Sequence, residues 1–375
     1  MVARHATIAE VARKAGTAPT TVSRVLNNSG YVRAATRAAV LAAIDELQYI
    51  PNANASVLKS RRSRTIGVVI GDLLNPYSAA LTDAIQSVAA GRGYTTFIAT
   101  AGDQPDSELQ AIEAFHRQRV AGLIVASVQT PQSDKLLERL AAQLPLVLVG
   151  RSLDHPRADS VSANYRRGGL LATQHLIGLG HRRIAFIGAE MRDADRIGRF
   201  RGYLDALQEA GIAVRPDDVV GSHRMEPSPR YSTQLTGYEG AELLLRLPSR
   251  PTAIFARNDH TATGAMQALK QAGLRIPEDV SVAGFDNIPL SAAISPALTT
   301  VSQPTEEAGR LAAEFLMGRI ERPEEVTERR AMLLECNLIV RASSAAPKGA
   351  LARAARSASH TSVSSVQGTN HEEGA

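Results

Sequence analysis

The chain has one cysteine, Cys336, in 375 residues. One thiol excludes an internal disulfide and any zinc site built from several cysteines. It sits in a late apolar run and reads as a buried, inert residue. No apolar stretch approaches the ~20 residues that an α-helix needs to cross a bilayer. The N-terminus also lacks the apolar h-region of a secretory signal. A cytoplasmic protein without a membrane partner is therefore expected. Catalytic motifs are missing as well. Gly178 and Gly180 do not form GxGxxG, and there is no GxxxxGK[ST] phosphate loop, no GxSxG elbow and no HExxH. His175 and His181 lack ligand spacing and read as a helix residue and a helix-end residue. No enzyme, cofactor or metal centre is expected.

What is present begins with charge. Residues 1–64 carry ten Lys/Arg and three acids, a balance of +7, whereas the whole chain is +5, so the remainder sums to −2. A basic head on a near-neutral body is the electrostatic footprint of a nucleic-acid-binding module joined to something else. Within that head, Thr7 to Asn27 reads as two short helices. Ile8, Val11, Ala12 and Ala15 form one apolar stripe, and Val22, Val25 and Leu26 form another. Gly16 lies in the gap, where a left-handed backbone costs glycine nothing. Pro19 suits a first helical turn. Two such stripes can pack only at a steep crossing, which is a helix-turn-helix. The second helix turns Thr20, Thr21, Ser23, Arg24 and Asn27 outward, the inventory that a helix entering a major groove needs. The alternative is a helical hairpin with a solvated polar face. A third helix over 33–48 places Val40, Leu41, Ile44 and Leu47 on one face, and Pro51 ends it. Residues 52–64 are a linker, read either as a flexible tether or as a segment that orders on DNA.

After Thr65, apolar runs at 66–71, 95–100, 122–127, 146–150, 183–188, 253–257 and 280–285 alternate with helical stretches. The helices fall near 77–91, 106–118, 132–142, 166–179, 196–210, 236–246, 260–272 and 304–318. That alternation means parallel sheets covered on both faces. Irregular stretches at 151–164 and 286–302 suggest two crossings between two lobes, with the carboxyl ends of the strands facing a cleft. Open α/β sheets bind ligands there. Asp72, Arg199, Asn258 and Asp286 fall at strand ends or helix starts and would suit a polyhydroxylated ligand. Asp72 and Asp286 read equally well as loop or helix caps. Asp259 reads as a cap or first-turn acid. Residues 343–375 lack apolar periodicity and leucine heptads, and read as a disordered tail.

Several motifs together resemble the lactose-repressor (LacI/GalR) family of bacterial transcription regulators over residues 6–342. They are AxxAGxxxxTVSRVLN at 12–27, TR at 36–37, YIPN at 49–52, DLLNPY at 72–77, LGHRRIAFIG at 179–188, RFRGY at 199–203, RNDHTATGAMQAL at 257–269, VSVAGFDNIP at 280–289 and LTTVSQP at 298–304. The resemblance implies an α/β fold: a three-helix helix-turn-helix head (1–51), a hinge (52–64) and a two-lobed, periplasmic-binding-protein-like core (65–342). The N-lobe would take about 65–162 and 291–322, and the C-lobe about 163–290 and 323–342. It implies a repressor that binds a near-palindromic double-stranded operator as a homodimer, nucleoid-associated through its DNA, under control of a small-molecule effector, a sugar in particular. DNA contacts would then fall on Thr7, Thr20, Thr21, Ser23, Arg24, Asn27, Tyr49, Asn52, Ala55, Leu58 and Lys59, with Leu58 as a minor-groove wedge. Effector contacts would fall on Asp72, Asn75, Tyr77, Asn164, Arg199, Asn258 and Asp286. The sequence departs from the family pattern at Ala18, Ser56, Asn164 and the irregular stretch 222–236. The competing readings are a solute-binding protein with an accidental basic head and a nonspecific DNA-binding protein.

Overall fold

A computed structural model describes residues 6–49, 63–102, 105–127, 131–188, 198–221 and 233–348. The chain divides into two compact units, residues 1–63 and 64–375.

The first unit holds helices α1 (Ile8–Lys14), α2 (Pro19–Leu26) and α3 (Ala34–Glu46). Thr7 and Glu10 make a reciprocal capping box: the Glu10 N–H donates to Thr7 Oγ1 at 3.3 Å, and the Thr7 N–H donates to Glu10 Oε2 at 2.7 Å. Such a cap satisfies amides that a helix start leaves open. Gly16 turns the chain at φ +62. Val11, Ala12, Val22, Val25, Val40 and Ala43 are buried together, with Ile44, Leu47 and Tyr49 packed against them. Leu41 was expected on that face but is 53% exposed. The inward stripe runs Val40, Ile44, Leu47, and one residue on from Val40 is about 100° round the helix.

The second unit contains two six-stranded sheets. The N-lobe sheet has the order β11-β5-β4-β3-β1-β2, from β1 (Thr65–Ile70), β2 (Thr95–Thr100), β3 (Gly122–Ala126), β4 (Leu146–Val149), β5 (Ala158–Ala163) and β11 (Ala331–Leu334), all parallel. Ile66, Val68 and Ile70 face α4 (Pro76–Gly91) and α12 (Thr305–Glu321). Val69, Leu123 and Val125 face α5 (Pro105–Arg117) and α6 (Pro131–Ala141). The C-lobe sheet has the order β12-β10-β9-β8-β6-β7, from β6 (Ile184–Ile187), β7 (Val219–Val220), β8 (Ala253–Ala256), β9 (Ser281–Asp286), β10 (Thr299–Ser302) and β12 (Asn337–Ile339). Only the β10–β12 pairing is antiparallel. Helices α7 (Tyr165–Gly178) and α8 (Gly198–Glu209) cover one face, and α9 (Thr233–Leu245) and α10 (Asp259–Gln271) the other. A short helix, α11 (Pro289–Ala293), precedes β10. Continuous burial along β1, β4, β6, β8 and β9 explains why those runs are apolar throughout rather than alternating.

The lobe boundaries differ from those read in the sequence. Among the described residues the chain crosses three times: at Asn164, at Gln303–Pro304 and between β11 and β12. Residues 291–302 remain in the C-lobe because β10 pairs with β9. Residues 323–334 remain in the N-lobe because β11 pairs with β5. The stretch 158–163, expected to be irregular, is β5. Residues 343–348, expected to open a disordered tail, are tied to the C-lobe instead. The Val282 N–H donates to the Ser343 carbonyl at 2.8 Å, the Thr299 N–H donates to Ser343 Oγ at 2.8 Å, and Lys348 pairs with Asp279.

Candidate functional site

At the head, α2 presents Thr20, Arg24 and Asn27 exposed, with Thr21 and Ser23 half-buried. Asn27 Nδ2 donates to the Ser23 carbonyl at 2.9 Å, so part of that amide already serves its own helix. Ala18 occupies the N-cap without a side-chain hydrogen bond, which leaves the first amides of α2 uncapped by any side chain. Thr7 is exposed but is committed to capping α1. Tyr49 is half-buried against the head core. Asn52, Ala55, Leu58 and Lys59 lie outside the described residues, as does most of the irregular 222–236 stretch.

In the core, the carboxyl ends of both sheets face each other. Asp286 ends β9 in a left-handed conformation (φ 108), and Asn287 follows at φ 55. Non-glycine residues rarely adopt such angles, which cost on the order of 1–3 kcal/mol each and persist where their surroundings hold them. Here Asp286 Oδ1 accepts from Gln303 Nε2 at 2.7 Å and from Arg199 Nη2 at 3.3 Å. Asn287 Oδ1 accepts from Arg341 Nη2 at 2.6 Å. Burial pushes the Asp286 carboxyl up to about 6, against the pull of Arg199, Gln303 and Arg257.

Arg199 is the centre of this wall. Nη1 donates to the Arg257 carbonyl at 3.0 Å, and the guanidinium lies 4.2 Å from the centroid of Phe285 and 4.8 Å from that of Tyr165. Its buried Nε has no hydrogen-bond partner among the described residues. The backbone of α8 is brought this close by glycine: a Cβ at Gly169 on α7 would lie 2.1 Å from the Arg199 carbonyl oxygen. A guanidinium stacked between rings and half-committed to a carboxylate presents its remaining donor in a fixed direction.

The asparagines serve local structure first. Asn75 Oδ1 accepts from the Tyr77 N–H at 3.0 Å, Asn164 Oδ1 from the Arg167 N–H at 3.1 Å, and Asn258 Oδ1 from the Thr261 N–H at 2.9 Å. Each thereby caps a helix start. Asn164 also ties two crossings together, since its Nδ2 donates to Glu335 Oε1 at 3.2 Å and its N–H to the Leu334 carbonyl at 2.7 Å. Asp72 is exposed, and its Oδ1 accepts from the Leu74 N–H at 2.8 Å. Burial lowers the His260 imidazole of the C-lobe, and the charge of Asp72 in the N-lobe opposes that shift. Asp259 is structural: Oδ1 accepts from Thr300 Oγ1 at 2.5 Å and Oδ2 from the Ile288 N–H at 2.9 Å, and burial pushes its carboxyl up to about 7. Cys336 is buried, and its thiol is pushed up to about 11 by that burial. The sequence reading missed Tyr165, Gln303 and His260. Gln303 lay inside a quoted motif, LTTVSQP, and Tyr165 directly follows Asn164.

A basic helix-turn-helix head and a two-lobed α/β core with a polar and aromatic cluster at the strand ends around Arg199 define a ligand-responsive DNA-binding regulator. The comparisons with known proteins agree. A model of the bacterial regulatory proteins of the lacI family matches residues 7–52, and one of periplasmic binding protein-like domains matches residues 173–344. The chain is 36% identical over 338 residues to the ribose operon repressor of Haemophilus influenzae, covering 90% of this chain and 98% of that one. It is 34% identical over 341 residues to the HTH-type transcriptional repressor PurR of Aliivibrio salmonicida, covering 90% and 98%. Among solved structures it resembles the lac repressor dimer bound to operator and the anti-inducer ONPF, with 28% identity, a TM-score of 0.76, and coverage of 92% of this chain and 100% of that one. The chain belongs to the lacI family of bacterial regulatory proteins and is a DNA-binding transcriptional regulator. The relatives named here are repressors, not enzymes. No helix among the described residues is long and apolar enough to cross a membrane.

Proposed function

We propose that the protein is a cytoplasmic homodimeric repressor that reads a near-palindromic operator with α2 and whose operator affinity is set by a small hydroxylated ligand, a sugar, held between the lobes. The observation that carries the ligand half is the Arg199–Asp286–Gln303 network at the carboxyl ends of the C-lobe strands, in which Arg199 Nε meets no acceptor among the described residues. Asp72, Tyr77 and Asn258 complete the ligand set, while Asn75 and Asn164 hold the helix starts around it. Sugar hydroxyls both donate and accept, which suits a wall of carboxylate, amide and guanidinium. The ribose operon repressor among the relatives supports that ligand class. Pairing of two copies is supported by exposed apolar residues of the N-lobe: Phe97 (50%) and Ile98 (41%) on the edge strand β2, and Leu73 and Leu74 in the β1–α4 loop. An open apolar edge is a liability unless something covers it.

On the DNA side, Thr20, Thr21 and Arg24 are assigned to base edges or phosphates, with Ser23 and Asn27 beside them and Thr7 and Tyr49 as backbone contacts. The same reading assigns Asn52, Ala55, Leu58 and Lys59 to the stretch that accompanies the head on DNA. The test is a salt-dependent gel shift on a selected operator and on scrambled DNA. Replacing Thr20→Ala and Arg24→Ala together should cost about 1–3 kcal/mol per lost base contact and relax sequence preference. Unchanged affinity and preference would refute the assignment of α2. A thermal-shift screen with D-ribose, cellobiose and hypoxanthine addresses the cleft. A ligand at a hundred times its dissociation constant should stabilise the core by about 2.7 kcal/mol.

A further inference from the structure

Asp286 leaves β9 through two consecutive left-handed residues, itself at φ 108 and Asn287 at φ 55. Such angles persist only where the surroundings over-determine them. The bonds of Asp286 to Gln303 and Arg199 belong to the wall itself. The next two residues are held from outside it. Arg341, two residues past β12, donates from Nη2 to Asn287 Oδ1 at 2.6 Å. Its Nη1 donates to the Leu298 carbonyl at 2.8 Å and to Ser291 Oγ at 3.1 Å. Its own N–H donates to Thr299 Oγ1 at 2.9 Å, which ties the backbone beneath the guanidinium to the start of β10. Asn287 Nδ2 makes a longer bond, 3.4 Å, to Ser302 Oγ. From the other side comes Asp259, the first residue of α10. Its Oδ2 accepts from the Ile288 N–H at 2.9 Å and its Oδ1 from Thr300 Oγ1 at 2.5 Å. Gly284 keeps that path open, since a Cβ there would lie 2.3 Å from Asp259 Oδ1.

Asn287 and Ile288 are therefore each pinned by a side chain from a distant part of the chain, 54 residues later and 29 residues earlier. We propose that Arg341 is a positioning residue for the effector: by bracing Asn287 against α11 and β10, with Asp259 bracing Ile288, it fixes the direction in which Asp286 presents its carboxylate. The guanidinium fits the task. Its planar fork holds three acceptors, on Asn287, Ser291 and Leu298, in one fixed relation, which a lysine ammonium on a flexible stem does not. Without the fork, the turn is free to relax toward ordinary backbone angles and to swing the carboxylate away from Gln303 and Arg199. Ligand affinity then depends on a residue that stands behind the wall rather than in it. The brace rests on the hydrogen bonds above, and its link to ligand rests on the cleft reading.

The test compares the full-length parent with Arg341→Met, Arg341→Lys and Asn287→Gly by hydrogen exchange with mass spectrometry. Methionine keeps an unbranched side chain and removes the fork. Glycine adopts φ 55 without strain and removes the same bond from its other end, so it serves if the methionine variant does not fold. Exchange over residues 286–293 should rise several-fold in Arg341→Met and Asn287→Gly, and less in Arg341→Lys, which retains a donor. It should stay unchanged in the deep strands β3 and β6. Calorimetry with D-ribose reads what a purely structural brace would leave alone. Its dissociation constant should rise about tenfold or more in Arg341→Met and Asn287→Gly, the scale of one charge-assisted hydrogen bond. Arg341→Lys should recover part of that loss, and operator affinity without ligand should be unchanged throughout. Unchanged exchange over 286–293 would overturn the brace. Raised exchange with unchanged D-ribose affinity would overturn the positioning role. A parent that does not bind D-ribose counts against the sugar reading instead, and the exchange comparison alone then upholds or overturns the brace.

Discussion

Asp159 is fully buried at the start of β5 and answers to two guanidinium groups. Its oxygens accept from Arg319 Nη2 at 2.6 Å and Nε at 2.8 Å, and from Arg330 Nη2 at 2.5 Å and its N–H at 2.8 Å. Arg319 and Arg330 spend their remaining donors on the carbonyls of Val326, Glu328 and Phe315. One carboxylate thus ties α12, the 323–330 loop and β11 to the sheet. Burial alone would raise this carboxyl, but the hydrogen bonds from Arg319 and Arg330 outweigh it and hold it below its ordinary value. Its stabilising contribution is therefore present above the ordinary carboxylate range and is lost as pH falls through the lowered value. Asp159→Asn leaves a buried guanidinium without its counter-charge and should cost about 3–5 kcal/mol. Urea unfolding of the full chain checks this, and the variant should also lose part of the parent's acid-side loss of stability. A cost within 0.5 kcal/mol, the range of ordinary surface changes, would mean that the loop is held by its backbone alone.

At the scale of elements, the strap 343–348 makes the C-lobe sheet depend on a segment that carries almost no apolar signal. His181 is buried just past α7, and its Nε2 lies 2.9 Å from the Ala345 carbonyl, which can only accept, so Nε2 carries the proton. Nδ1, 2.9 Å from Thr252 Oγ1, is then the acceptor. His175 Nε2 lies 2.9 Å from Ser344 Oγ. Burial lowers both imidazoles, with His175 and Arg182 lowering His181 further. A lowered histidine contributes stability that is present above its unfolded value, about 6.5, and is lost as pH falls through the folded one. A chain ending at Ala342 strands the Val282 and Thr299 amides, at about 1–3 kcal/mol each. It should melt below the chain ending at Lys348, and its stability should fall less between pH 7.5 and 5.5. Equal melting temperatures at pH 7.5 would show that the strap contributes nothing. The strap also shows where the sequence stops being legible. Central strands announce themselves because both faces are buried, and their helices by period. In β5 the residues Asp159, Ser160 and Ser162 break the apolar pattern, and the arginines that justify the aspartate come from 160 and 171 residues away. Strands β10, β11 and β12 are four residues or fewer, and they gain their place from their partners: β10 lies between β9 and β12, and β11 pairs with β5, about 170 residues earlier in the chain. The cleft divides in the same way. Arg199 and Asp286 stand out as polar residues at strand ends and helix starts, whereas Tyr165 and Gln303 acquire meaning only once the crossings bring them to Arg199 and Asp286.

At the scale of the whole molecule, the head and the core are separate units, each with its own apolar cluster. Information can pass between them only if a ligand in the core changes the free energy of operator binding, and linkage makes that change mutual. A coupling of ~1–3 kcal/mol, the usual allosteric size, corresponds to a 5–150-fold change in affinity in both directions. The coupling proposed here needs an element with two arrangements, and the three crossings among the described residues are where a change in lobe separation would act. Arg199→Ala removes the stacked guanidinium and the Asp286 partner from one wall and leaves the head untouched. It should abolish the ligand's effect on operator binding while operator binding itself persists. The decisive measurement is calorimetric titration of the ligand found in the thermal screen into full-length protein, alone and on operator DNA. The two dissociation constants should differ by the same factor as the operator affinities measured with and without ligand. Equal constants, with the dimer shown to be on the DNA throughout, would mean that the cleft and the head share a chain but not a free energy.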